Sequence, residues 1–188
     1  MTEAASGSRS GRKNDPDRRD RIIDACLDVI AESGVAGASH RRIAEAAGVP
    51  LGSMTYHFSG IDELLHEAFT RFSHTISARF EERMAAASDL ESARAAVVDI
   101  IREDVYGDPR ELVLSHELFT LAARKPAYRA LTTAWMLRSR AALERHFDRD
   151  DARLLDALIG GLSIHRALDD EERDPEEIVI GVARITSA

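Results

Sequence analysis

Residues 39–58, S-H-R-R-I-A-E-A-A-G-V-P-L-G-S-M-T-Y-H-F, leave this chain few folds to choose from. Ser39 is a strong N-cap, because its hydroxyl accepts from a backbone N–H that a helix start leaves unpaired. Ile43, Ala44 and Ala47 recur at helical spacing and give a first helix its apolar face. Gly48 follows as a left-handed C-cap, Val49 plugs the turn, and Pro50 stands where a missing N–H is harmless. Met54 and Phe58 then face inward from a second short helix, 51–57. Ala44 is small where two helices must cross closely. A small residue, a glycine four positions on and an apolar residue six beyond it form the pattern of a DNA-binding helix-turn-helix. An ordinary helical hairpin is the alternative, since Ala, Gly and Pro are common at helix joints.

On this reading the second helix enters the major groove. Its outward residues by helical spacing are Leu51, Gly52, Ser53, Thr55, Tyr56 and His57. None is a long bidentate reader such as Arg, Asn or Gln. Readout therefore rests on the Ser53 and Thr55 hydroxyls, on Leu51 against a thymine methyl, and on DNA shape. Gly52 permits close backbone approach. Tyr56 and His57 carry polar tips that reach phosphate while their rings pack. Tyr56 as a core aromatic and His57 as a simple helix cap are the structural alternatives.

The net charge of −8 runs against nucleic-acid binding, and its distribution only partly answers this. The first sixty residues carry eight bases and eight acids, so the whole −8 lies in the remainder. An acidic body is repelled by phosphate and helps orient a neutral head toward it. Affinity is expected to be modest and salt-dependent. The bases cluster at Arg9, Arg12, Lys13, Arg18, Arg19 and Arg21, and again at Arg41 and Arg42. Residues 1–15, rich in Ser, Gly and Arg without apolar periodicity, read as a disordered basic arm. No apolar run approaches the ~20 residues that span a bilayer, and the N-terminus has no secretory pattern. One cysteine, Cys26, makes no internal disulfide. A cytoplasmic protein without a membrane partner is expected.

The rest of the chain reads as helices. Helix one, 16–33, shows a core stripe of Ile23, Cys26, Leu27 and Ile30, and Gly34 ends it. Cys26 on that stripe reads as a small buried residue. Arg18, Arg19 and Arg21 crowd the positive end of this helix, a placement that a nearby phosphate would favour. Helix four spans 62–87, with Asp62 and Glu63 at its start and no Gly or Pro within it. Further helices are expected at 90–106, 109–124, 127–147, 151–168 and 176–186. The helix 151–168 is nearly apolar all round at its centre and contains Gly160-Gly161, each about 1 kcal/mol worse than Ala in a helix interior. A close two-fold contact explains both features, so the last two helices are expected to form a homodimer interface, with an internal core as the alternative. No strand or repeat is evident.

The unit from R-D-R-I-I-D-A-C-L-D-V-I-A-E-S-G-V (residues 19–35) through Y-H-F-S-G-I-D-E-L-L (residues 56–65) closely resembles the N-terminal domain of TetR-family transcriptional regulators. The match covers residues 18–70, and the remainder agrees in length and helicity alone. The resemblance implies an all-α protein. A DNA-binding domain, 16–61, would be joined through the long fourth helix to a ligand-binding and dimerisation domain, 62–188. It also implies that the N-cap and first-turn residues Ser39, Arg41, His40 and Arg42 contact backbone phosphate. The chain departs from the family pattern after the Y-H-F element, where lysines are common and Ser59, Gly60 and Ile61 stand instead.

The implied activity is sequence-specific binding to a pseudo-palindromic double-stranded operator by a repressor that a small-molecule effector releases. The implied effector site lies among helices four to eight. Phe72, Ile76, Ile101, Val105, Phe119, Trp135 and Leu137 supply apolar walls, and His116, Arg138 and His165 are candidate polar contacts. No cofactor is expected. His66 beside Glu63 and Glu67, and His116 beside Glu117, lack metal-ligand spacing. No G-x-S-x-G or Gly-rich phosphate loop is present, so no catalytic residue is expected. A DNA-tethered helical adaptor or architectural protein without effector response stays open as a rival.

Overall fold

The computed structural model describes residues 17–105, 107–170 and 174–187. The expected basic arm lies outside them. Nine α-helices and one π-helical turn occur among the described residues, with no strand.

Helix α1 spans Arg18–Gly37, with its regular part ending at Gly34, where φ is +68°. One face of α1 buries Ile22, Ile23, Cys26 and Ile30. Burial without a cationic neighbour pushes the Cys26 thiol up to about 12. The thiol stays protonated and unreactive at neutral pH. Helix α2 is His40–Ala46, and the Ser39 side chain accepts from the Arg42 N–H at 3.4 Å. Gly48, at φ +62°, reverses the chain into α3, Leu51–His57, as the left-handed C-cap requires.

Helix α4 is an unbroken Ile61–Ala85. At its start the Glu63 carboxylate accepts from both the Ser59 hydroxyl (2.5 Å) and the Ser59 N–H (2.6 Å). These bonds hold the Glu63 carboxyl below the usual carboxylate range.

Helix α5, Leu90–Asp99, begins with an Asp89/Ser92 capping box and is shorter than the 90–106 helix expected. It widens into a π turn, Ile100–Asp104, closed by Val105 N–H donating to the Ile100 carbonyl at 2.9 Å. Two arginines of α4 hold this turn. Arg79 donates to the Asp104 carbonyl at 2.8 Å, and Arg83 donates to its carboxylate at 2.9 Å. Gly107 makes the exit possible, because a Cβ there would lie 2.4 Å from the Glu103 carbonyl oxygen.

Helices α6 (Pro109–Arg124) and α7 (Pro126–Leu143) follow, each with proline in its first turn. Helix α7 stops short of the expected residue 147, since the N–H groups of His146 and Phe147 both turn back onto the Leu143 carbonyl. Helix α8, Arg149–Leu168, is capped by the Asp148 side chain. Helix α9 is Glu176–Ile185.

Two apolar cores result. The first gathers α1, α2, α3 and the first half of α4, and also Leu114, Leu118 and Ala122 of α6 and Tyr128 of α7. The second joins Phe80 and Met84 of α4 to α5, the π turn, α7, α8 and Val182 of α9. Helix α4 therefore runs through both. Ile22, Ile43, Met54, Leu64 and Phe69 are fully buried in the first core, and truncating any one to Ala costs about 2–5 kcal/mol. Exposed ion pairs tie α1 to its neighbours: Arg71 with Asp20 and Asp24, and Arg110 with Asp28 at 2.7 Å. Each contributes about 0–1 kcal/mol.

Candidate nucleic-acid interface and effector cavity

Helix α3 is held by Met54 and Phe58, both buried in the first core. Its outer face carries Leu51 (55% exposed), Gly52, Thr55 and Tyr56 (84% exposed). These positions are four apart in pairs and so share one side. The Thr55 hydroxyl donates to the Gly52 carbonyl at 3.2 Å, which sets its rotamer. Tyr56 and His57 meet edge to face at 4.9 Å between ring centroids. At the start of α2, Ser39 and Arg41 are exposed, and His40 is half-buried with its Nε2 lacking a partner among the described residues. Arg41 makes no ion pair among the described residues. Arg42 donates to the Gly37 carbonyl at 3.2 Å. An exposed aromatic and leucine on a short helix, beside a cation in the first turn of the preceding one, suit a phosphate-flanked groove.

A cavity of about 240 Å³ lies between α4, the π turn, α6, α7 and α8. Phe119 and Trp135 stack at 5.8 Å and 15° to form an aromatic wall, with Ile76, Phe80, Val105 and Ile159 around them. Three carboxylates reach this lining. Asp104 and Glu111 are bound to arginines, Arg83 at 2.9 Å and Arg79 at 2.7 Å. Asp156 has no such partner among the described residues. Burial pushes its carboxyl above the usual range, and Arg140 draws it back only in part.

Two family models divide the chain. Residues 22–68 match the bacterial regulatory proteins of the TetR family, and residues 88–188 match a tetracycline-repressor-like C-terminal domain. The chain belongs to the TetR family. A crystal structure of the transcriptional regulator SCO7518 from Streptomyces coelicolor A3(2) is 57% identical, with a TM-score of 0.86, over 92% of this chain and 100% of that one. The multidrug binding protein EbrR, complexed with imidazole, is 35% identical with a TM-score of 0.77 over 92% and 96%. The regulator PksA of Bacillus subtilis is 33% identical over 81% of this chain and 80% of its own. This TetR-family chain is accordingly an all-α, sequence-specific DNA-binding transcriptional regulator and not an enzyme.

Several side chains of this TetR-family protein differ from the sequence expectation. Ser53, expected on the reading face, is buried at 9% exposure. It shares the inner side of α3 with Met54, and seven residues on a core leave no room for six outward positions. Arg19, grouped with Arg18 and Arg21 as a phosphate ligand, pairs instead with Glu67 and lies 5.0 Å over the Phe58 ring. Arg18 is half-buried, with its Nε lacking a partner among the described residues.

In the body, Val105, Phe119, Trp135 and Ile76 line the cavity. Six residues named with them do not. Phe72 belongs to the first core and meets Trp135 edge to face from there, at 6.0 Å. Ile101 is wholly buried in the second core. Arg138 is held by Glu81 at 2.6 Å. The His116 Nδ1 lies 2.7 Å from the Leu112 carbonyl, and His165 lies 3.8 Å from Asp169 on an exposed turn. Leu137, a further expected wall, is exposed on the outside of α7.

The polar lining, Asp104, Glu111, Ser115, Ser139 and Asp156, carries little signal in the sequence. One local signal existed: Asp156 falls on the same face of α8 as Ala152 and Ile159, an acid within an apolar stripe. Among the described residues no group of three or more His, Cys, Asp or Glu is placed to hold a metal, and no helix is long and apolar enough to cross a membrane.

Proposed function

We propose that this TetR-family regulator is a homodimeric repressor that leaves its operator when a small molecule fills the α4–α8 cavity. The observation that carries this reading is the course of α4. It holds the reading head through Leu64, Leu65 and Phe69, and lines the cavity through Ile76 and Phe80. A ligand that shifts α4 therefore acts on both. We place the boundary between the DNA-binding and ligand-binding parts at residues 61 and 62, where α4 begins, although the first half of α4 packs on the head. EbrR, similar over nearly its whole length, is described as a multidrug binding protein, which supports a small-molecule effector here.

Ser39, Arg41 and Tyr56 contact phosphate, joined by Arg18, His40 and His57, while Leu51, Gly52 and Thr55 meet base edges. Release requires the effector to bind one head spacing more tightly than the other. Two heads would meet successive major grooves of a pseudo-palindrome, about 34–36 Å apart or more. Such a protein works beside the chromosome, in the cytoplasm.

Dimerisation is proposed through α8 and α9. Within one protomer α9 buries only Val182, and Leu154, Leu168, Val179 and Ile180 lie exposed on these two helices. Gly161 meets no atom within 4 Å at a Cβ position, so its backbone is open to close approach, whereas Gly160, equally open, borders the cavity.

The test is selection of bound fragments from the source genome at two salt concentrations. A few enriched sites sharing a palindrome and weakened at higher salt are expected. Enrichment at hundreds of dispersed sites would instead support the architectural rival.

A further inference from the structure

We propose that the effector is a cation with a planar aromatic body, and that Asp156 is its counter-charge. This rests on reading the α4–α8 cavity as the effector site.

The argument turns on which charges in the cavity are already matched. Glu111 is committed to Arg79 through two bonds, at 2.7 and 3.0 Å. Asp104 is committed to Arg83. Asp156 makes no hydrogen bond or ion pair among the described residues, and Arg140 acts on it only from a distance. Arg140 itself borders a separate hollow with Leu137 and Arg153 on the outside of α7 and α8.

The cavity thus contains one carboxylate that has lost water without gaining a partner. Burying an ionised group this way is unfavourable until something charged or strongly hydrogen-bonding meets it. A cationic ligand supplies that partner. A neutral ligand leaves Asp156 bare and displaces its remaining water. An anion would face three carboxylates with two arginines already engaged.

The opposite wall sets the shape. Phe119 and Trp135 lie nearly parallel and present ring faces and edges to the same space as Asp156. Aromatic faces attract cations and stack flat rings. Ser115 and Ser139, otherwise buried, add hydroxyls to the lining. About 240 Å³ suits a compact fused-ring molecule rather than a long lipid.

The experiment titrates the full-length protein with proflavin, a planar cation, and with 1-anilinonaphthalene-8-sulfonate, an anion, in ~0.15 M salt to screen the acidic surface. Wild type is expected to prefer proflavin. Asp156→Asn should weaken proflavin binding about tenfold or more, with sulfonate binding unchanged or tightened. Asp156→Glu keeps the charge and should keep the preference, and thermal melts establish that each variant is folded. Phe119→Ala should weaken both probes.

Proflavin binding that is unchanged in Asp156→Asn, yet lost in Phe119→Ala, would overturn the counter-charge and leave the cavity reading standing. Probes that ignore Phe119→Ala, or no binding of either probe to wild type, would overturn the cavity reading and the proposal together.

Discussion

The Glu117 carboxylate on α6 accepts a hydrogen bond from the Val35 backbone N–H at 3.3 Å, immediately past the break in α1 at Gly34. The same helix offers Glu111, Ser115 and Phe119 to the cavity and Leu114 and Leu118 to the first core. Helix α6 therefore touches the cavity on one side and the first helix of the head on the other. If the cavity is the effector site, α6 would offer a second route beside α4 from it to the DNA-binding unit.

Glu117→Ala is expected to destabilise the fold by about 1 kcal/mol, the worth of one part-buried hydrogen bond. Its larger effect should fall on coupling, so that ligand changes DNA affinity less in the variant than in wild type. DNA titrations with and without a cavity ligand measure this. Gly34→Ala should destabilise by about 1–2 kcal/mol, because φ is +68° there and a side chain is strained. The nearest atom to the added Cβ, Glu117 Oε1 at 2.7 Å, ends a flexible chain and can yield. Chemical denaturation reads both stabilities.

Tyr56→Ala should weaken binding to every DNA sequence, since a phosphate contact positions without specifying. A loss of about tenfold is expected for one charge-assisted hydrogen bond. Thr55→Ala should instead change which base is preferred opposite that residue. Competition among operator variants separates the two, and intact binding in both proteins would refute α3 as the reading helix.

Asp156→Asn should raise the melting temperature at neutral pH when no ligand is present. The sign follows from burial. The folded protein raises the carboxyl above its unfolded value, so the protonated form carries no penalty and the ionised form does. The wild-type deficit is absent below the ordinary aspartate range of about 3.9 and grows as pH rises through the raised folded value. Melting curves of the two proteins should converge near about pH 3.5 and separate toward pH 7. A constant separation across that range would contradict the assignment.

Tyr128→Phe should be neutral or stabilising by up to about 1 kcal/mol. The ring packs edge to face on Phe69 at 6.0 Å, while its hydroxyl is buried without a partner among the described residues. Burial pushes that phenol up to about 12. Removing an unsatisfied hydroxyl relieves a desolvation penalty and leaves the ring contact intact. A loss above about 1 kcal/mol by denaturant titration would mean that the hydroxyl has a partner, such as a bound water.

The sequence by itself determined whatever rests on neighbours a few residues apart. Ser39 caps α2 through a contact three residues away, and Gly48 reverses the chain through its own φ. Ala44 and Met54 mark the crossing of two short helices, and Pro109 and Pro126 start α6 and α7 near their expected positions. The head was legible for this reason, and so was the apolar, Gly-bearing surface of α8. Only the tertiary structure decided which side chains were already occupied. Arg138 faces Glu81, 57 residues away, and Arg19 faces Glu67, 48 away, partners that no local pattern announces. Ser53 lost its outward position when α3 settled on the core. The cavity draws its walls from five segments spread between residues 76 and 160. Helical periodicity reports which face of a helix is apolar but not which partner that face meets. The unpaired state of Asp156 depends on where Arg79, Arg83 and Arg140 come to rest, and folding alone sets those distances.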